Sequence, residues 1–252
     1  MTLLNNQCNN KNDKLKAVVF GGTGSVGKSL IDYMLTISNR WDTITIVSRR
    51  QIDRWDKYCK KNSNKKLNFL IIENFNILKK SKDELIKENM NFSDYDSMFN
   101  CLGYDGEDKD KLLKLDYELV IDIAELCIKF NINTFSNVSS WYSHPYSSNS
   151  YFKIKSYSEL KLYEYQNKIK FIKVYKPGCI INRHSVGSGS YIQDILTKLN
   201  MLLSLGLIPY CDVNELGCVI GYESESLLTD KNKKQGLSVY NTNDIIEIYK
   251  NM

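Results

Sequence analysis

The feature that most narrows the possible folds of this chain is a glycine-spaced turn set directly behind an apolar run. Lys16-Ala-Val-Val-Phe20 reads as a short buried strand, and Gly21-Gly22-Thr23-Gly24-Ser25-Val26-Gly27-Lys28-Ser29 follows it without a linker. Between Gly27 and Ser38, residues Leu30, Ile31, Met34 and Leu35 recur at helical spacing, so the turn opens a helix. A strand, a glycine turn and a helix in that order offer backbone amides and the positive end of a helix to an anion. Two patterns overlap here. Gly21, Gly24 and Gly27 match a dinucleotide-binding turn, in which missing side chains let the backbone curl tightly and approach a pyrophosphate. Gly22 to Ser29 match the P-loop, in which Lys28 would grip the outer phosphates and Ser29 would ligate magnesium.

The rest of the chain favours the first reading. Thr43 to Ser48, Leu67 to Glu73, Tyr95 to Leu102, Asn133 to Ser139 and Phe171 to Tyr175 read as further strands. A helix from about Lys111 to Phe130 carries Leu112, Leu115, Leu119, Ile123 and Leu126 on one stripe, and Tyr151 to Asn167 is helical by pattern. Nearly continuous apolar strands alternating with helices predict an α/β fold, a doubly wound parallel sheet of the Rossmann type. A P-loop also needs an acidic residue at a strand end, but the nearest candidate, Asp122, falls within the helical stripe. Ser48-Arg49-Arg50 closes the second strand where an NAD-binding chain carries a ribose-binding acid. Guanidinium groups there match the extra phosphate of NADP. The reading is one NADP(H)-binding domain over residues 15–252, preceded by a polar, Asn-rich disordered tail (1–14), with substrate-side elements mainly in 183–236 and a mobile lid around Gly187 to Gly189.

Composition excludes several alternatives. The net charge of +5 is a mild excess and argues against a nucleic-acid-binding face. Lys60, Lys61, Lys65 and Lys66 lie in an Asn/Ser stretch and read as a solvated loop. The seven cysteines form no C-x-x-C pair and, with no signal peptide recognised, read as reduced thiols of a cytoplasmic protein, with a nuclear location also open. His144 and His184 lie at no ligand spacing from a cysteine, so no metal site is expected. The apolar stretch from Ile195 to Tyr210 is too short to span a bilayer.

Catalytic candidates come from the helix after the fifth strand. Tyr151 and Lys155 are four residues apart, which puts both on one helix face. A neighbouring ammonium favours a phenolate, so this pair suits proton exchange near neutral pH. The fifth strand ends in Ser139-Ser140, whose hydroxyls are candidates for holding a substrate carbonyl oxygen. Tyr157 with Lys161 repeats the tyrosine–lysine spacing, so spacing alone does not single out the first pair.

Taken in order, these motifs resemble the atypical short-chain dehydrogenases/reductases, and more narrowly the Tat-interactive oxidoreductase-like branch. The shared features are the Gly21/Gly24/Gly27 turn, Ser48-Arg49-Arg50, Cys101-Leu102-Gly103, Leu115-Asp116 ahead of Ala124-Glu125-Leu126, Val138-Ser139-Ser140, Tyr151 with Lys155, and Lys176-Pro177-Gly178. The resemblance covers roughly residues 16–185. It implies that Gly21, Thr23, Gly24, Ser25, Val26 and Gly27 contact the pyrophosphate and that Arg49 and Arg50 clasp the 2′-phosphate. Leu102 and Gly103 would pass beneath the adenosine or its ribose. Tyr151 and Lys155 would serve the nicotinamide ribose and catalysis, Ser139 or Ser140 would bind the carbonyl, and Pro177 and Gly178 would wall the nicotinamide. The implied activity is an NADP(H)-dependent oxidoreductase acting on a small carbonyl or alcohol. The alternative is a regulator that senses NADP(H) and binds a protein partner, because the resembling branch is associated with regulation. The chain departs from the family pattern at Lys176, where arginine is common, at Trp141, where a smaller residue is usual, and in lacking a clear helix asparagine.

Overall fold

The structure is a computed structural model that describes residues 14–50, 65–104, 106–182, 209–229 and 234–252. Seven strands form one sheet: β1 (Leu15–Phe20), β2 (Trp41–Ser48), β3 (Lys66–Ile71), β4 (Ser97–Asn100), β5 (Thr134–Val138), β6 (Phe171–Lys176) and β9 (Gly236–Asn241). Their spatial order is β3-β2-β1-β4-β5-β6-β9, and every pairing is parallel. The short β7 (Cys179–Ile181) and β8 (Tyr210–Asp212) pair separately in parallel. This is the doubly wound sheet expected from the nearly continuous apolar strands.

Each strand divides its side chains between two cores, as the period of two requires. Val18 and Phe20 face one side, against Leu119, Ile123 and Phe130 of α4 (Leu119–Phe130). Ala17 and Val19 face the other, against Leu30 and Ile31 of α1 (Ser25–Asp32) and Leu216, Val219 and Ile220 of α6 (Val213–Thr229). The remaining helices are α2 (Lys82–Lys87), α3 (Lys109–Leu113), α5 (Ser150–Glu164) and α7 (Thr242–Lys250). A π turn over Lys114–Glu118 joins α3 to α4, and another over Tyr33–Ile37 ends α1. The helix expected from Lys111 to Phe130 therefore carries a local change of pitch. Its C-terminus is closed by Asn131 in the left-handed conformation (φ 56°).

Several expectations need correction or lie outside the described residues. Lys65 is not in a solvated loop. Its ammonium donates to the carbonyls of Met34 at 2.6 Å and Leu35 at 3.2 Å, and to that of Ser38. Carbonyls at a helix C-terminus lack intrahelical donors, and a cation there also suits the helix dipole. Burial holds the Lys65 pKa below the ordinary lysine value, with Lys14 adding to the effect. The 1–14 tail, apart from Lys14, the polar stretch 51–64 and the Gly187–Gly189 lid lie outside the described residues. Within 183–236, assigned above to the substrate side, β8 pairs with β7 whereas α6 covers the sheet beside α1. Five free cysteines are described, and burial pushes the Cys211 thiol up to about 12.

Candidate active site

The chain order of the strands reverses between β1 and β4, and in such sheets ligands bind in the crevice at the carboxyl ends beside this point. Register brings the sequence motifs together there. Phe20 pairs with Val47 and with Asn100, so the glycine turn emerges between the tips of β2 and β4. Gly21 has φ +78°, and a Cβ on it would lie 2.6 Å from the Cys101 carbonyl carbon. A Cβ on Gly27 would fall on the Gly21 carbonyl oxygen. Both positions accept only glycine. The Gly24 amide donates to the Gly21 carbonyl at 3.0 Å and closes the turn.

Gly24 is the N-cap of α1 and supplies no side-chain cap. The first amides of the helix are thus left to face an anion, while Thr23 and Gly24 are exposed and Ser25 and Val26 half-buried. This cradle fits a diphosphate. The P-loop alternative fails on Ser29. Its hydroxyl is buried, aimed at the Asn214 carbonyl at 3.4 Å, and a Cβ on Gly217 of α6 would fall on it. That hydroxyl faces the packing between α1 and α6, where a magnesium ion has no access.

Arg49 and Arg50 are exposed on the bend after β2, next to the turn. Ser48 fixes the bend by donating its hydroxyl to the Arg50 carbonyl at 2.8 Å. On the other side of the turn, Leu102 is half-buried and Gly103 exposed. The Leu102 amide donates to Asn100 Oδ1 at 3.2 Å, and Asn100 Nδ2 donates to Asn137 Oδ1 at 2.8 Å, tying β4 to β5 at the crevice.

Asn149 caps α5 by accepting from the Tyr151 amide at 2.8 Å, which sets Tyr151 in the first turn. Tyr151 and Lys155 share a face, with the ammonium 5.2 Å from the phenol ring centroid. Asp116 Oδ1 pairs with Lys155 Nζ at 2.8 Å, both side chains being almost fully buried. Asp116 Oδ2 accepts from the Tyr104 amide at 3.0 Å, so one carboxylate joins the loop after β4 to α5. Asp116 lies in the π turn, a deformation found often at functional sites. Burial by itself lowers the Lys155 pKa. Tyr151, Asp116 and Glu159 together outweigh burial and hold it above the ordinary value. The sequence carried Asp116 as part of a motif without a role, because only packing reveals which residue faces Lys155.

The two serines separate. Ser139 is buried, and its hydroxyl donates to Glu159 Oε1. The expectation left either serine open to a substrate oxygen; in this structure the Ser139 proton is committed to the Glu159 carboxylate. Ser140 is half-buried, and among the described residues its hydroxyl makes no hydrogen bond. Trp141, 41% exposed, donates its amide to the Pro177 carbonyl at 2.9 Å and begins a chain of ring contacts through Tyr142 and Phe152 to Tyr151. Pro177 is buried, and the Gly178 amide donates to Thr242 Oγ1 at 2.8 Å. No group of three or more metal-ligating side chains occurs among the described residues. No helix among them is long and apolar enough to cross a membrane.

No protein-family model matches the chain, and no curated protein sequence matches it. Solved structures do. The chain shares the fold of short-chain dehydrogenases/reductases and related epimerases. An NAD+-bound xylitol dehydrogenase superposes with TM-score 0.66 at 14% identity, over 92% of this chain and 98% of that one. A short-chain dehydrogenase/reductase from Serratia marcescens gives 0.64 at 14% identity, with the same coverage. The UDP-N-acetylglucosamine 4-epimerase from Methanobrevibacter ruminantium M1 gives 0.64 at 13% identity, over 94% of this chain and 81% of that one. At these identities the likeness is one of fold.

Proposed function

We propose that this protein is an NADP(H)-dependent oxidoreductase of the short-chain dehydrogenase/reductase type, acting on a small carbonyl or alcohol. The observation that carries the proposal is the Tyr151–Lys155 face of α5, set beside a glycine cradle at the switch point of a Rossmann sheet. The order of the motifs supports the atypical, Tat-interactive oxidoreductase-like branch. The turn closed at Gly24 would seat the pyrophosphate on the amides of Ser25 to Gly27, and Arg49 and Arg50 would hold the 2′-phosphate. Leu102 and Gly103 would underlie the adenosine side, and Pro177 and Gly178 would wall the nicotinamide. When bound, the nicotinamide supplies or accepts a hydride. Tyr151 gives or takes the proton at the substrate oxygen, Lys155 stays cationic beside it, and the free Ser140 hydroxyl orients that oxygen.

Cofactor choice is tested by titrating tryptophan fluorescence with NADPH and with NADH. NADPH is expected to bind more tightly. Replacing Arg49 and Arg50 with alanine should weaken NADPH by about tenfold or more per arginine while sparing NADH. Equal binding of the two cofactors, or an NADH preference, refutes the assignment.

One observation favours a second reading, a cofactor-binding regulator with little turnover: the buried Asp116 carboxylate already neutralises Lys155. Tyr151→Phe separates the readings. Loss of about 10²–10⁴ in turnover with NADPH binding intact supports the enzyme. Absence of turnover by the native protein across a panel of aldehydes and ketones supports the regulator and a protein partner.

A further inference from the structure

Tyr151, Lys155 and Glu159 follow one another at four-residue steps, so α5 presents all three on one line. Glu159 touches no reacting atom in the proposed chemistry, and it is the most heavily engaged of the three. Its Oε1 accepts from the Ser139 hydroxyl at the exit of β5 and lies within reach of the Ser143 hydroxyl. Its Oε2 takes the Lys176 ammonium, from the end of β6, at 2.9 Å. Lys176 also reaches the Ser143 carbonyl at 3.4 Å. The Ser143 amide closes a turn onto the Ser140 carbonyl at 3.0 Å, and the Ser143 hydroxyl reaches the same carbonyl at 2.8 Å. One carboxylate thus gathers both ends of the 139–143 segment and the tip of the next strand. Both charged partners are about four-fifths buried, where an ion pair holds geometry better than at an open surface.

We propose that Glu159 is a positioning residue, which fixes the 139–143 turn through Ser139, Ser143 and Lys176 and so assigns the substrate oxygen to Ser140 alone. This rests on the oxidoreductase reading for its substrate, but its structural half stands apart from turnover. Ser139 becomes a strut. Lys176, where the family pattern has arginine, completes the clamp with a single point of contact. Trp141 lies inside the clamped turn and reports on it directly, because Trp41 is fully buried and Trp55 is removable by substitution with phenylalanine.

The test uses the full-length Trp55→Phe protein and compares Glu159→Gln, Ser139→Ala and Ser140→Ala. Glutamine keeps the side-chain length and one carbonyl acceptor but loses the charge that holds Lys176. In Glu159→Gln, Trp141 emission should move to longer wavelength and acrylamide quenching should rise, since charge-assisted bonds are roughly twice as strong as neutral ones, while NADPH affinity should stay within about threefold. For any carbonyl the protein reduces, KM should rise more than kcat falls. Ser139→Ala should show the same pattern more mildly. Ser140→Ala should leave the Trp141 signal alone and lower kcat by on the order of 100-fold, the cost of one lost oxygen-binding donor. Unchanged Trp141 quenching in Glu159→Gln overturns the inference, and so does a kcat loss in Ser139→Ala equal to that in Ser140→Ala. Should the native protein reduce no carbonyl, the oxidoreductase reading falls, and the quenching result alone decides whether Glu159 anchors the turn.

Discussion

Asp116 holds a charge in a nearly solvent-free position, 1% exposed, opposite an ammonium that is 7% exposed. Buried pairs of this kind add little over an apolar substitute, yet removing one partner strands the other, at about 3–5 kcal/mol. Asp116→Ala should therefore lose that much in urea unfolding at neutral pH. The Lys155 pKa lies above its ordinary value because Tyr151, Asp116 and Glu159 outweigh the opposing effect of burial. A raised lysine stabilises the fold in full below its unfolded value of about 10.4, and this contribution drains as pH climbs through the folded value. Asp116→Asn should remove part of it, so the gap between native and variant midpoints should narrow as pH rises from about 10.4 upward. A constant gap across that range counts against the pairing. Tyr151 and Lys155 were legible in the sequence because a spacing of four is a property of one helix. The partners of Asp116 and Glu159 were not, since they depend on how α5 meets the π turn and the tips of β5 and β6.

Elements were read more readily than contacts. Strands β1 to β6 fall within about two residues of where the apolar runs set them, because a strand covered on both faces must be largely apolar. The short α2, β7 and β8 carried no comparable signal. Neither did the union of α1 with α6, in which Gly217 meets Ser29 and Leu30 so closely that a Cβ would lie 2.6 Å from the Leu30 amide nitrogen. Gly217→Ala must push the two helices apart. The expected cost is about 1–3 kcal/mol of stability, measured by thermal or urea unfolding. NADPH affinity should fall with it, because α1 carries the glycine cradle at its first turn. Full affinity in Gly217→Ala would mean that the cradle holds its shape without help from α6.

At the scale of the molecule, each loop of the candidate site leaves the carboxyl end of a different strand, so the sheet sets their spacing. The two cores lie on opposite faces, and the second draws on both the first helix and α6, so neither end of the chain is dispensable. Removing residues 209–252 deletes β8, α6, β9 and α7 while leaving the glycine turn, Arg49, Arg50, Tyr151 and Lys155 in place. Such a fragment should neither melt cooperatively nor quench on addition of NADPH, as calorimetry and fluorescence would record. A fragment that binds NADPH would contradict the dependence on α6. The Ser29–Asn214 contact spans 185 positions. A ribosome has therefore released most of the polypeptide before the phosphate cradle gains its backing, and a chain stalled midway through synthesis carries a nucleotide motif that is complete in letters and unable to select a nucleotide.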